Sequence, residues 1–457
     1  MRITRYLLLI TLCSFIQEAG AATLTATSFD GPGCNLIEAV TATENDTAGT
    51  GPCAGSVTGV FGDDTILLTS SQPYVASTLH AAPDLSLPVI RDNLTVIGDG
   101  AIKTITRDVS APNLRLFLLV SGARLTLKNI KFSNFKVRDD TFSQGAVVRG
   151  QGDLIVTLED TVFEGNSADI SGGAINLFGS ASDQVAKLSV DRSAFVGNSA
   201  LSSPVVPRVT LGAAIEIQNY FELVIRNSTF SANEADGCGA IAWNGNSNFV
   251  ELVNNTFSGN TAKTLAGAIC GTSRDGNGKV WIANNIIAGN ISTGAARSDV
   301  YFSYSLLDDV VVVNNNLLGD ATSNVINGYN SLFPIVDSVD GNILGYSDAA
   351  TPLALDEIIQ PLTEQQGMPF HPVPRTSPAV DTGTLGTYIP GDVFSVWHAG
   401  CRGTSKTLIP SFDLHPDQLN QPRPVGSACD IGAIEYRDES SCYVVKTSGE
   451  KVVAFCL

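Results

Sequence analysis

Histidine, methionine, tryptophan and positive charge are all scarce in this chain. Its 457 residues hold 4 His, 2 Met and 3 Trp, and 27 Lys and Arg stand against 45 Asp and Glu. The histidines, His80, His371, His398 and His415, show no metal-ligand spacing, which argues against a zinc site. A formal net charge of −18 repels polyanions, so neither nucleic acid nor an anionic membrane surface is expected as a partner. Beyond the N-terminus no segment is long and apolar enough to cross a membrane, and no transmembrane segment is expected. Amphipathic helical stretches are nearly absent, which turns the reading towards β-structure. Ser, Cys and His show no arrangement that supports a nucleophilic enzyme.

What the chain has instead is a phrase recurring every ~30 residues, and periods of that length mark stacked repeats. Its first half is Phe-x-x-Asn: Phe163 to Asn166, Phe195 to Asn198, Phe230 to Asn233 and Phe257 to Asn260, degenerating to Ile287-Ala288-Gly289-Asn290. Its second half is Gly172-Gly173-Ala174-Ile175, Gly212-Ala213-Ala214-Ile215, Cys238-Gly239-Ala240-Ile241 and Ala266-Gly267-Ala268-Ile269. Before each Phe lies a short alternating apolar segment, such as Val156 and Leu158, Leu188 and Val190, or Leu223 and Ile225. Alternation of period two means strands with one buried face, and a coil of such strands buries its apolar row only against its neighbours. The fold class is therefore all-β, a parallel β-solenoid of about eight to ten coils capped at both ends.

Aligned on the Phe, two asparagine columns emerge. Asn227, Asn254, Asn284 and Asn315 precede it, and Asn166, Asn198, Asn233, Asn260 and Asn290 follow it. Asn tolerates left-handed turns, and amides stacked about 4.8 Å apart hydrogen-bond along the column, so both are read as structural.

The first residues carry Arg2 and Arg5, then an apolar stretch from Tyr6 to Ile16, then Ala19-Gly20-Ala21-Ala22, the layout of a secretory signal peptide. Cys13 is read as discarded with it. Eight cysteines remain in an exported, disulfide-permissive chain. Cys442 and Cys456 flank an apolar run turning at Ser448-Gly449, which predicts a disulfide-closed hairpin. Cys34 pairs with Cys53 and Cys401 with Cys429 by proximity. Cys238 and Cys270 are offset by four residues in the repeat alignment, about 13 Å along extended strands, so no bridge is expected unless a turn intervenes.

The repeat phrase resembles that of chlamydial polymorphic outer-membrane proteins over roughly residues 127 to 320, which implies a right-handed parallel β-helix, as in the passenger regions of that family, and an adhesin role; the family's self-export and barrel anchoring are not expected to carry over. Gly33-Cys34-Asn35-Leu36-Ile37-Glu38-Ala39-Val40 is similar to the CSLREA motif near the mature N-termini of bacterial β-helix proteins: Leu36, Glu38 and Ala39 match, while Asn35 and Ile37 depart. Ser377 to Gly383, Asp417-Gln418 to Arg423-Pro424 and Cys429 to Glu435 resemble the choice-of-anchor Q domain, with Leu419 and Asn420 in place of Arg-Gly. The expected organisation is a signal peptide (1–22), an N-terminal cap (23–60), the β-helix (61–370), a choice-of-anchor Q-like cap (371–436) and the hairpin tail (437–457).

Chemistry has to sit on outward strand positions. Four residues before the Phe in successive coils stand Glu159, Asp191 and Arg226, which would project together. A polysaccharide lyase needs a cation for the uronate carboxylate and a base, and a hydrolase needs paired carboxylates; the trio supplies either in outline. The next members, Val253 and Ala283, are apolar, and the parallel column Asn176, Glu216, Ala242 and Cys270 holds no acidic cluster, so a charge-compensated ladder is the simpler reading. Trp243 falls on the inward parity and Trp281 on the outward one. The doublets Asp63-Asp64, Asp139-Asp140 and Asp308-Asp309 are where calcium would be sought, yet none has a calcium-loop spacing, and no cofactor is implied. The sequence thus predicts an exported, non-catalytic surface or secreted protein for adhesion or recognition, with a polysaccharide or a cell-surface ligand as the partner. The alternative is a lyase or glycoside hydrolase using Glu159, Asp191 and Arg226. Nothing in the sequence sets an oligomeric state.

Overall fold

The structure is a computed structural model. It describes residues 21–383, excepting 48–50, 81–83, 139–142, 204–208, 247–248, 274–277, 294–298, 305–309, 320–324, 329–330, 335–340 and 345–352, together with 387–388, 397–398, 417–421, 429–436, 443–446 and 452–455. The alternating segments form a sheet of ten parallel strands, here sheet 1, running from Ala21–Ala26 through Leu154–Glu159 and Ala186–Asp191 to Val310–Asn314. The Phe segments form sheet 2, also of ten strands, from Tyr74–Ala76 to Ile343–Leu344. Two-residue strands from Lys136–Val137 to Ile291–Ser292 make sheet 3, and the Ile strands after Gly-Ala make the nine-stranded sheet 4, from Phe117–Leu119 to Ser331–Pro334. Every ladder among the coils is parallel except the last of sheet 4, where Val325–Gly328 and Ser331–Pro334 turn back on each other. About seven turns are complete, and partial coils bring sheets 1 and 2 to ten strands, against the eight to ten coils expected.

Inside, side chains of equal kind stack at one strand spacing. Phe132, Phe163, Phe195, Phe230 and Phe257 are fully buried, with successive ring centroids 5.1, 4.7, 4.8 and 4.7 Å apart. Each such ring contributes roughly 2–3 kcal/mol by removal from water. Beside them, Asn166, Asn198, Asn233, Asn260 and Asn290 form a buried amide ladder. Asn198 donates both its backbone N–H and its Nδ2 to Asn233 Oδ1, at 3.0 and 2.9 Å, and Nδ2 also donates to Phe163 O. Buried turn groups are thereby satisfied without water.

The two predicted asparagine columns divide the two roles. Asn227, Asn254, Asn284 and Asn315 take the left-handed conformation, with φ of 48, 56, 55 and 50°, between sheets 1 and 2. In the ladder column that conformation passes to the preceding residue, Gly165, Gly197, Ala232, Gly259 or Gly289. A further ladder, absent from the sequence reading, runs through Ser193, Ser228, Asn255, Asn285, Asn316 and Asn342, each side chain from Ser228 onward accepting the backbone N–H of the member one coil earlier.

At the N-terminal end, the CSLREA-like segment forms the helix Leu36–Glu44. Asn35 departs from that motif yet caps the helix, its Oδ1 accepting from Glu38 N at 2.9 Å. Leu36, Ala39 and Val40 are buried against the core, covering the apolar row of the first coil. Cys34 and Cys53 are bonded, with Cα atoms 4.4 Å apart.

Cys238 and Cys270 are also bonded, with Cα atoms 5.8 Å apart, contrary to the expectation from extended geometry. Cys238 pairs with Ala266, and Ala242 with Cys270, so the alignment offset is real. A bend at Gly239 and Ala240 separates the two positions, so the path between them is not extended and the offset shrinks to disulfide reach. Cys429 is disulfide-bonded, whereas Cys401, Cys442 and Cys456 lie outside the described residues. The tail hairpin is present in its backbone, Tyr443–Lys446 pairing antiparallel with Val452–Phe455.

Among the described residues, parts of 358–379 and of 418–433 lie along the outer face of sheet 2. Met368 packs on Val162 and Ala194; Ile358, Ile359, Val373, Ala379 and Ile431 pack on Ile286, Ala288 and Leu317. Thr229 donates to Gln418 Oε1 at 2.6 Å, Ala433 N to Thr256 Oγ1 at 3.0 Å, and His371 Nε2 lies 3.0 Å from Ser231 Oγ. Small and hydroxyl residues on the outside of sheet 2 admit this strap.

Replacing Asn233 by Ala would remove the side-chain acceptor of Asn198 N and one partner each from Asn198 Nδ2, Phe195 O and Asn260 Oδ1, all buried, while Asn198 Nδ2 keeps Phe163 O and Asn260 Oδ1 keeps the backbone N–H of position 233. The expected loss is about 3–5 kcal/mol in a urea titration, with the exposed Glu234→Ala nearly silent. A loss below ~1 kcal/mol would show that the ladder does not hold the coils together.

Candidate functional site

Register places the three predicted site residues side by side: Glu159 opposite Asp191, and Asp191 opposite Arg226, on the outward face of sheet 1. The column extends one rung further, to Lys128, and ends at Val253. The side chains do not form a self-contained trio. Arg226 turns towards Glu251, with Nε and Nη2 2.7 and 2.6 Å from Oε1. Glu159 is held by Lys128 Nζ and by Arg192 Nη2, both at 2.5 Å.

Arg192 is the centre of this cluster, and the sequence reading missed it. It occupies the left-handed turn position, at φ 46°, that asparagine fills in later coils, and Asp160 fills the same position one coil earlier at φ 53°. From there the guanidinium reaches Asp191 Oδ2 at 2.6 Å and Asp160 Oδ1 and Oδ2 at 2.9 and 3.0 Å, besides Glu159. Asn227 Nδ2 adds a bond to Asp191 Oδ1 at 2.9 Å. The available signal was the break in the asparagine column, where Asp and Arg stand in consecutive coils.

Burial works against the charge of Arg192, but Asp160, Asp191 and Glu159 outweigh it and hold the guanidinium charged. Burial likewise pushes the Glu159 carboxyl up, and Lys128 and Arg192 overcome this, leaving it below its ordinary range. A depressed carboxylate is a weak base, and it cannot hold a proton for a leaving group at neutral pH. Each carboxylate of the cluster faces a cation: Glu159 faces Lys128 and Arg192, Asp160 and Asp191 face Arg192, and Glu251 faces Arg226.

Next to it runs a second outward column, Thr23, Thr65, Thr95, Thr126, Thr157 and Ser189, in unbroken register. Its hydroxyls are half-buried or exposed and repeat at about 4.8 Å. Between sheets 3 and 4, Asp236 is an acceptor for the residues on either side of the undescribed stretch 204–208. Ser202 N and Thr210 Oγ1 donate to Asp236 Oδ2 at 2.9 and 3.3 Å.

On sheet 4 the column Asn176, Glu216, Ala242 and Cys270 is in the predicted register. Glu216 is 3 % exposed and accepts from Asn176 Nδ2 at 2.8 Å. Burial pushes its carboxyl up to about 7, against hydrogen bonds from Gln218, Ser171 and Asn176. Near the start of this sheet Ser121, Arg149, Gln151, Ser180 and Gln184 line an open groove of about 380 Å³.

Trp243 is in the core, as its parity predicts. Trp281 has outward parity, yet only 4 % is exposed and its ring packs on Phe249 with centroids 5.3 Å apart, so it offers no open stacking platform. Asp63 and Asp64 are engaged by Asn93 Nδ2 and by Ala22 N respectively. The other two acidic doublets lie outside the described residues. Among the described residues no group of three or more His, Cys, Asp and Glu is placed to hold a metal ion, and no helix is long and apolar enough to cross a membrane.

Residues 160–177 match the Chlamydia polymorphic membrane protein repeat. That segment contains Phe163 to Asn166 and Gly172 to Ile175, one full phrase of the repeat, and it begins at Asp160 of the charged cluster. No curated protein matches the chain.

Glu216 makes stability depend on pH. Its folded pKa lies above the unfolded one, so its contribution is complete below the ordinary carboxylate value of 4.5 and is lost as pH rises through about 7. Glu216→Gln should remove this dependence and gain on the order of 3 kcal/mol relative to the native chain at pH 8, read from denaturation midpoints at pH 5 and 8. Equal midpoints for the two proteins at pH 8 would show that Glu216 is not desolvated.

Proposed function

We propose that the protein is exported and displayed at the cell surface or secreted, where the outward face of sheet 1 recognises extended polysaccharide. The observation that carries this reading is the pairing of a hydroxyl column, Thr23 to Ser189, with the neighbouring column in which Glu159, Asp191 and Arg226 are each already neutralised. Regular hydroxyls on a rigid strand spacing suit the hydroxyls of a polymeric sugar, and compensated charge lowers the cost of covering the face. The chlamydial repeat over 160–177 comes from a family named for membrane proteins, which supports a surface location. The CSLREA-like and choice-of-anchor Q-like segments point the same way, as parts of exported bacterial β-helix proteins. Fold by itself assigns no activity.

The second reading is a polysaccharide lyase or glycoside hydrolase acting through Glu159, Asp191 and Arg226. It is favoured by their common face and opposed by the depressed carboxyl of Glu159.

Both readings are separated by incubating purified protein with a polysaccharide panel, with and without calcium, and measuring reducing ends and unsaturated uronate beside a glycan-binding assay. Binding without product, weakened at least tenfold in a Thr126→Val/Thr157→Val variant, is the expected result. Product formation abolished by Glu159→Ala/Asp191→Ala would establish the enzyme instead.

A further inference from the structure

The first coil contains a buried carboxylate in an apolar row. Asp64 lies on the inward parity of Val60–Leu68, in register with Leu94 and, beyond it, Leu125 and Val156, and is 1 % exposed. Its hydrogen-bond donors are two backbone N–H groups, Ala22 at 3.2 Å and Gly62 at 2.9 Å. Asp46 and Asp63 are the charged groups nearest in effect, and burial acts with them to push the carboxyl up. Among the described residues no Lys or Arg forms an ion pair with it. A buried charge without a counter-ion is costly.

The strand that supplies the first of those N–H groups starts at the edge of the fold. In Ala21–Ala26 the first residue is exposed and the second fully buried. Immediately before this boundary the sequence reads Ala19-Gly20-Ala21, small residues at the two positions a leader peptidase reads.

We propose that the leader is cut between Ala21 and Ala22, and that the α-ammonium of Ala22 created by the cut is the counter-ion of Asp64. Water divides the peptide bond: the Ala21 carbonyl carbon takes the oxygen and departs as a carboxylate, and the Ala22 nitrogen takes the protons and becomes –NH3⁺. An α-amino group has an ordinary pKa of about 7.8, so beside Asp64 it is charged at neutral pH. The nitrogen already sits at hydrogen-bond distance from Oδ1, so docking the new terminus requires no rearrangement of Asp64. The boundary falls one residue earlier than the 1–22 read from the small-residue run. The inference rests on the export reading above.

The test begins with the full chain expressed in a bacterial host and recovered from the exported fraction, its terminus read by intact mass and N-terminal sequencing. A chain starting at Ala22 is expected. An exported chain starting at Thr23 or elsewhere overturns this cleavage site alone, whereas intracellular retention of residues 1–457 overturns the export reading. The ion pair is then tested at pH 7 by comparing the mature chain with one that keeps Ala21, each with Asp64 or with Asp64→Asn. The extra residue should lower the folded-to-unfolded ratio at least tenfold with Asp64 and leave it unchanged with Asn; equal losses in both backgrounds overturn the pair. Should Asp64→Asn not fold, the labelling rate of the α-amino group at pH 8 decides. At least tenfold slower labelling in the native protein than in urea is expected, and equal rates overturn the pair.

Discussion

One distance governs this molecule: the separation of about 4.8 Å between hydrogen-bonded strands. Every coil repeats at that interval, so any side chain placed in a column must interact with a copy of itself or with something complementary. Phenylalanine satisfies the condition by stacking, with centroids 4.7–4.8 Å apart from Phe163 to Phe257. Asparagine satisfies it because an amide is donor at one end and acceptor at the other, so each side chain accepts from the coil before and donates to the coil after. A carboxylate or a guanidinium cannot repeat in this way, and the charged columns therefore alternate in sign or draw a cation from the adjacent turn, as Arg192 does.

That condition explains what was legible in the chain. Columns of identical residues are visible in one dimension, so the Phe stack, the amide ladder and the register of Glu159, Asp191 and Arg226 could be read from spacing. Relations between unlike residues could not. Arg192 acts from a turn rather than a strand, and its orientation towards three carboxylates depends on a left-handed backbone that the sequence marks only by the interruption of an asparagine column. The Cys238–Cys270 bond was misjudged because strand arithmetic was applied across a bend. The burial of Trp281 reflects what packs outside the coil, and parity tells only which side of the strand a residue occupies.

The four sheets are thus chemically distinct although they share one period. Sheet 1 faces outward with hydroxyls and balanced charge, sheet 4 carries a disulfide and a buried carboxyl, and sheet 2 is covered. The segregation follows from which outward columns remain small. Val162, Ala194, Thr229 and Thr256 leave room for a second layer, whereas Lys128, Glu159, Asp191 and Arg226 keep theirs in water.

The covered side has a consequence for how such a chain can vary. In a bare solenoid a coil can be gained or lost, because each coil meets only its neighbours and the new junction resembles the old. Here Gln418 meets Thr229, His371 meets Ser231 and Ala433 meets Thr256, contacts that span up to 189 residues and fix particular coils to particular points of the strap. Inserting a coil among them would slide one partner list against the other by a rung. The number of coils beneath the strap is therefore a fixed dimension of the protein, while the coils outside it remain open to duplication.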